Sequence, residues 1–200
     1  MFLSLSNFQC YDCDEFVDDR YEYIIDLKPS AREFNLGDTI LLSLNIDSDI
    51  ELKFSGDIYD NSNQYISYAF KIFELQQGQI NVIPARDNFI INGIKGNISL
   101  PVSRDFDVNV YGNCSSTQCE LETSLTPQKL GLYGIQLDLN YFGDINNECV
   151  TLSMSPQGFN DSGANNTDIV EELNIQFLRI EFTNFNMPKT DKRLYLFKVI

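Results

Sequence analysis

Four oxygen-bearing side chains in the stretch GDIYDNSNQY are spaced closely enough to surround one metal ion. They are Asp57, Asp60, Asn61 and Asn63. Calcium prefers such hard oxygen ligands, and a single loop can wrap one ion. The spacing is not that of an EF-hand, so a hairpin turn in which these side chains bond their own backbone is the alternative. The acidic run DCDEFVDDR offers a second loop of the same kind, or a solvated linker.

Tyrosines in and after the same stretch suggest a second kind of binding. Tyr59, Tyr65 and Tyr68 could offer flat faces to a sugar ring, although alternating tyrosines are also typical of half-buried strands. A β-sandwich module that binds calcium or glycan is therefore one functional hypothesis.

The composition excludes several kinds of chemistry. The 200 residues contain no histidine, so neither a Ser-His-Asp nor a Cys-His apparatus can be built. Nucleophile-elbow, P-loop and dinucleotide fingerprints are absent from the sequence. With 29 acidic and 14 basic residues, the net charge of −15 disfavours nucleic acid as a partner. We expect a non-enzymatic protein with no catalytic residues and no required cofactor.

The N-terminal segment MFLSLSNFQC resembles the signal-to-mature junction of bacterial lipoproteins. Phe2, Leu3 and Leu5 look like the end of a hydrophobic signal region, and acidic residues follow Cys10 at once. The likeness is closest to the loose version of this junction in Bacteroidota. It implies that Cys10 carries a lipid anchor and that the protein is extracytoplasmic.

With Cys10 as an anchor, four cysteines are left to pair. Cys114 and Cys119 flank a short polar loop that a tight disulfide could close, and Cys13 with Cys149 would tie the N-terminal segment to a late strand. The alternative is a Cys10–Cys13 loop with Cys149 free and buried. A zinc site of Cys10, Cys13, Cys114 and Cys119 and a redox CxxC are weaker hypotheses. The acidic neighbours of Cys13 would raise the pKa of a redox thiol rather than lower it.

Alternation of apolar and polar residues dominates the chain, which is the period of a β-strand. Three runs show it: Ile40, Leu42, Leu44 and Ile46 share one face; Tyr65, Ser67, Ala69, Lys71 and Phe73 alternate against Ile66, Tyr68, Phe70 and Ile72; and Tyr133, Ile135, Leu137, Leu139 and Tyr141 form an expected core face. Gly134 and Gln136 are expected on a solvated face, and Asn92-Gly93 predicts a tight hairpin.

These patterns predict an all-β protein. We expect an antiparallel β-sandwich of about ten to twelve short strands, with at most one short helix, over 168–177. Residues 1–19 would form a signal remnant and linker, and residues 20–200 a single sandwich domain.

Three segments resemble Ig-like domains of Bacteroidota surface lipoproteins. They are Lys28-Pro29 with Phe34–Ile40, the stretch Leu125–Tyr133, and the closing strand Leu194–Val199. The resemblance implies that the β-sandwich is Ig-like and that the protein is a binding or accessory subunit at the outer membrane or cell surface. Its partner would be a protein such as a porin-like or secretion component, and its contact with the membrane would be made through the lipid anchor alone. Asp38-Thr39-Ile40 also resembles an O-glycosylation triplet of that phylum, with a plain turn into a strand as the alternative.

Overall fold

The structure is a computed structural model that describes residues 17–76, 82–102, 105–138, 150–160, 169, 178–179, 186–187 and 192–200. Nearly all elements in this part of the chain are strands, which confirms the all-β class. Their bounds are β1 Val17–Lys28, β2 Glu33–Phe34, β3 Ile40–Asp47, β4 Asp49–Glu51, β5 Ile58–Asp60, β6 Tyr65–Leu75, β7 Ile83–Pro84, β8 Phe89–Lys95, β9 Asn97–Ser99, β10 Asp107–Asn113, β11 Gln118–Pro127, β12 Gly131–Leu137, β13 Val150–Phe159, β14 Leu178–Arg179, β15 Asn186–Met187 and β16 Leu194–Val199. A 3-10 turn, Arg86–Asn88, precedes β8.

Two sheets face each other across the core. The first has five strands in the order β13-β1-β3-β11-β8. The second has the order β2-β16-β12-β6-β10-β9, with β7 also paired to β6. The pairs β4–β5 and β14–β15 form two small sheets of their own. Within this arrangement, β1-β3-β11-β8 and β16-β12-β6 follow the A-B-E-D and G-F-C orders of immunoglobulin sheets.

The sheets are mixed, whereas the sequence predicts antiparallel pairing throughout. β1 runs parallel to β13, and β2 runs parallel to β16. In the second case, the chain leaves the first sheet after β1 and joins the second sheet at β2, beside β16. Alternation along a strand sets which residues face the core but carries no information about the direction of a neighbouring strand.

The main core lies between the two sheets. The alternating apolar residues of β3 and the expected core residues Tyr133, Ile135 and Leu137 of β12 belong to it. Of the two alternating faces of β6, the structure buries Ile66, Tyr68, Phe70 and Ile72 in this core. Leu139 and Tyr141 lie outside the described residues. Burial of these side chains removes the most apolar surface from water and is the main stabilising term of the sandwich.

A second apolar cluster covers part of the outer face of the second sheet. Its buried members are Phe73, Leu75, Val82, Phe106, Ile169, Leu194 and Leu196. The solvated face predicted for β12 is therefore wrong, since Gln136 is only 7% exposed. Gly134 lies so close to the Phe73 ring that a Cβ atom at this position would overlap it.

The strand count exceeds the prediction because many segments are very short. Of the sixteen strands in the described residues, seven have two or three residues and nine have six or more. Ile169 is the only residue of the expected 168–177 helix that the structure describes; it is helical and fully buried.

The predicted Asn92-Gly93 hairpin is wrong, because both residues lie inside β8, opposite Ser124 and Thr123. The chain turns at Gly96 instead, where φ is +85° and a Cβ would come within 2.7 Å of the Tyr111 carbonyl oxygen. Glycine meets both requirements of that turn, a left-handed backbone and a close approach to a neighbouring chain.

The first strand begins earlier than the expected domain boundary. β1 starts at Val17, so residues 17–19, which the sequence places with the linker, belong to the first sheet. Asp19 is buried there, whereas its position in an acidic run suggests a solvated side chain.

Candidate binding surfaces

Cys114 and Cys119 form the disulfide that the sequence predicts for this pair. It closes the connection between β10 in the second sheet and β11 in the first. The buried side-chain amide of Asn61 donates hydrogen bonds to the sulfur of Cys114 at 3.2 Å and to that of Cys119 at 3.4 Å. The backbone N–H of Cys114 also donates to the carbonyl of Gln64. The β5–β6 loop is thereby fixed to the disulfide at one end of the sandwich.

Cys10, Cys13 and Cys149 lie outside the described residues, and so does the expected Cys13–Cys149 bond. The Cys114–Cys119 disulfide argues against the zinc site expected from Cys10, Cys13, Cys114 and Cys119. Two of its four proposed ligands, Cys114 and Cys119, are bonded to each other and have no thiolate to offer a metal.

The four calcium candidates have different environments. Asn61 is buried with its amide nitrogen against the disulfide, while Asp57, Asp60 and Asn63 are exposed. A hydrogen bond from the Ser62 side chain, together with one from the backbone N–H of Ser62 at 2.8 Å, lowers the pKa of Asp60. Over the described ranges, no group of three or more His, Cys, Asp or Glu side chains is placed to hold a metal ion. The calcium site stays a prediction, to be tested by comparing Tm in calcium and in EDTA.

The three tyrosines expected to form a sugar platform are not equivalent. Tyr68 is fully buried in the main core, where its hydroxyl donates to the carbonyl oxygen of Leu42 at 3.1 Å. Tyr59 is half-buried and packs against the same core. Tyr65 is 54% exposed and lies beside Tyr111, with ring centroids 5.8 Å apart and planes inclined by 31°. The aromatic pair of the structure is thus Tyr65 with Tyr111, which the sequence analysis did not select.

Tyr65 and Tyr111 belong to a larger uncharged surface on the outer face of β6, β10 and β9. Register places Asn113 opposite Tyr65, and Tyr111 between Ser67 and Asn97. One pair further along, Asn109 lies between Ala69 and Ser99. Directly opposed residues project from the same face of a sheet. We call the resulting surface the tyrosine patch, and its members are Tyr65, Ser67, Ala69, Asn97, Ser99, Asn109, Tyr111 and Asn113, of which Ser67 and Ala69 are buried.

A buried ion cluster borders the tyrosine patch on the same sheet. The ammonium group of Lys71 lies 2.6 Å from a carboxylate oxygen of Asp138 and 4.0 Å from one of Asp107. Lys71 and Asp107 are both nearly inaccessible to water. The charges of Lys71 and Asp107 are therefore paired and shielded from solvent.

The second candidate surface is the free edge of the first sheet. β8 is the terminal strand, and β11 is its one hydrogen-bonded neighbour among the described strands. Phe89 anchors the beginning of β8 in the core, with its ring centroid 5.0 Å from that of Tyr133. Further along, Ile90 is 50% exposed on the outer face and Ile94 is 53% exposed.

The fold and these surfaces define an all-β sandwich that offers one uncharged aromatic face and one apolar strand edge. The chain matches no protein-family model, and a search of curated proteins finds no significant match. In the part of the chain that the structure describes, no helix is long and apolar enough to cross a membrane.

Proposed function

We propose that the protein is a non-enzymatic, extracytoplasmic lipoprotein that binds a protein partner at the outer membrane or cell surface through the β8 edge. The exposed apolar edge of β8 is the observation that carries this proposal. A strand at a sheet edge presents unpaired backbone N–H and C=O groups, and an extended partner segment can bond to them as an added strand.

The geometry of β8 limits which part of the edge is available. Lys95 lies opposite Glu122 while Gly93 lies opposite Thr123, so Ile94 is an extra residue in a bulge. Bulges distort an edge and discourage pairing. The regular stretch is therefore Phe89–Gly93, and a partner strand of about five residues would fit it.

The side chains along this stretch indicate the chemistry of the partner segment. Ile91 lies at the margin of the main core and is partly buried, whereas Ile90 points outward. An added strand with apolar residues at alternate positions would cover Ile91 from the side. The net charge of −15 favours a partner with basic residues around that segment.

Two features support the extracytoplasmic location. The lipoprotein-like segment ends at Cys10, and the Cys114–Cys119 disulfide is of a kind that persists in oxidising compartments.

Metabolic labelling of the full-length precursor with an alkyne fatty acid tests the lipid anchor at Cys10. We expect labelling of the wild type but not of Cys10→Ala, and an unlabelled wild type would contradict the anchor.

The edge is tested by Ile90→Lys, which puts a charge where the partner strand would lie. Ile24→Lys is the matched control, since Ile24 is 49% exposed on the same sheet but lies on β1, which has neighbours on both sides. After mild cross-linking in native membranes, we expect a partner to co-purify with the wild type and with Ile24→Lys, and to be lost with Ile90→Lys. Equal recovery with both variants would contradict the β8 interface.

A further inference from the structure

We propose that the tyrosine patch binds a neutral carbohydrate. This activity is separate from partner binding by β8, because the patch lies on the outer face of the second sheet and β8 belongs to the first.

The aromatic pair supplies the surface on which a sugar ring can stack. Tyr65 is 54% exposed, and the packing of its ring against that of Tyr111 holds both rings in place before any ligand arrives. Aromatic side chains suit such sites because a large apolar area is presented at a small cost in conformational entropy. The C–H face of a pyranose is the complementary apolar surface.

The polar side chains of the patch can form hydrogen bonds with the hydroxyl groups of the same sugar. Asn97, Asn113 and Ser99 are exposed, and Asn109 is half-buried beside them. Each amide offers both a donor and an acceptor, and a serine hydroxyl does the same. A sugar hydroxyl also donates and accepts, so these side chains can bond to it in either sense.

The lack of charged side chains in the tyrosine patch favours a neutral carbohydrate over charged ligands. None of its eight members is ionisable except through the weakly acidic tyrosine hydroxyls, although the chain as a whole carries −15. A phosphate-bearing ligand would need basic residues, and a basic peptide would need carboxylates. Lys71 and Asp107, which border the patch on the same sheet, are buried, and Lys71 is paired with Asp138 as well as Asp107. An uncharged ligand rich in hydroxyl groups is the chemistry that remains.

The experiment is affinity electrophoresis of the folded protein in gels that contain laminarin, xyloglucan, galactomannan, soluble starch or dextran, with polygalacturonate as the charged comparison. We expect at least one neutral polysaccharide to retard the wild type, and polygalacturonate to have no effect. Tyr65→Ala and Tyr111→Ala should each weaken binding by roughly tenfold, a loss of about 1.4 kcal/mol. Tyr65→Phe should retain most of it, because the stacking surface is kept.

Ile24→Lys is the matched control, since Ile24 is 49% exposed on the opposite sheet and this variant should bind polysaccharide as the wild type does. An unchanged Tm in the tyrosine variants would show that they are folded. Lack of retardation by all five neutral polysaccharides would overturn the proposal, and so would wild-type binding by both tyrosine-to-alanine variants. Neither result would affect the β8 interface, which is measured by a different variant and assay.

Discussion

The carboxylate of Asp19 accepts a hydrogen bond from the backbone N–H of Ser55 at 3.0 Å. The other carboxylate oxygen accepts the N–H of Phe54 at the same distance. Burial by itself raises the pKa of Asp19, but the bonds from the Ser55 side chain and from the backbone of Phe54, Ser55 and Arg20 outweigh it and lower the pKa to about 2. The last acid of DCDEFVDDR thus anchors the loop after β4 to β1.

The hydrogen bonds to the Asp19 carboxylate predict a loss of stability in acid. The folded-state pKa of about 2 lies below the ordinary value of 3.8, so Asp19 stabilises the fold above pH 3.8, and this contribution is lost as the pH falls towards 2. The contribution at neutral pH is about 2 kcal/mol. We expect Asp19→Asn to lower the free energy of urea unfolding by about that amount at pH 7 and by much less at pH 2.

Asp57→Asn is the control for this measurement. Asp57 lies in the same loop but is exposed. Its substitution should leave both free energies within about 0.5 kcal/mol of the wild type. Equal effects of the Asp19 substitution at the two pH values would show that its charge does not stabilise the fold.

The disulfide and Asn61 should be coupled energetically. Replacing Cys114 and Cys119 together by alanine removes a cross-link that closes a short loop, which costs about 2 kcal/mol, and also leaves the buried Asn61 amide without its sulfur acceptors. Asn61→Ala should therefore cost less in the double-alanine background than in the wild type. The measurement is a thermodynamic cycle of urea unfolding, and strict additivity of the free energies would contradict the coupling.

A side chain at Gly134 should destabilise the protein while Phe73 is present. A Cβ at Gly134 would overlap the Phe73 ring and lie 2.9 Å from a methyl group of Leu196. We expect Gly134→Ala to destabilise the protein by about 1–3 kcal/mol, measured by thermal and urea unfolding. In a Phe73→Leu background the same substitution should cost less, because the ring is gone. An equal cost in both backgrounds would argue against this contact.

Residues facing the main core were predictable because alternation reports directly which side of a strand is apolar. Ile40, Leu42 and Leu44 show this well, since every second residue of β3 is buried as expected. The disulfide was predictable for a related reason, because Cys114 and Cys119 are near in sequence and any compact loop brings them together.

The tyrosine patch was only partly predictable. The sequence indicates Tyr65 as a candidate but groups it with Tyr68, which the same alternation places on the opposite face of β6. Tyr111 and Asn97 join Tyr65 through β10 and β9, and such pairing depends on the register between strands distant in sequence. Register is chosen by the packing of the whole sheet, so a single strand does not encode it.

The amino-acid sequence by itself determined the all-β class, the inward faces of the long strands, the Cys114–Cys119 pair and the absence of histidine chemistry. The tertiary structure decided which strands became edges, the parallel directions of β1 with β13 and of β2 with β16, the burial of Asp19 and Gln136, and the meeting of Tyr65 with Tyr111. The physical reason is the range of the interactions. Alternation and short loops act between near neighbours in the chain, whereas edges, strand direction and outer-face burial follow from contacts between segments that only the complete fold brings together.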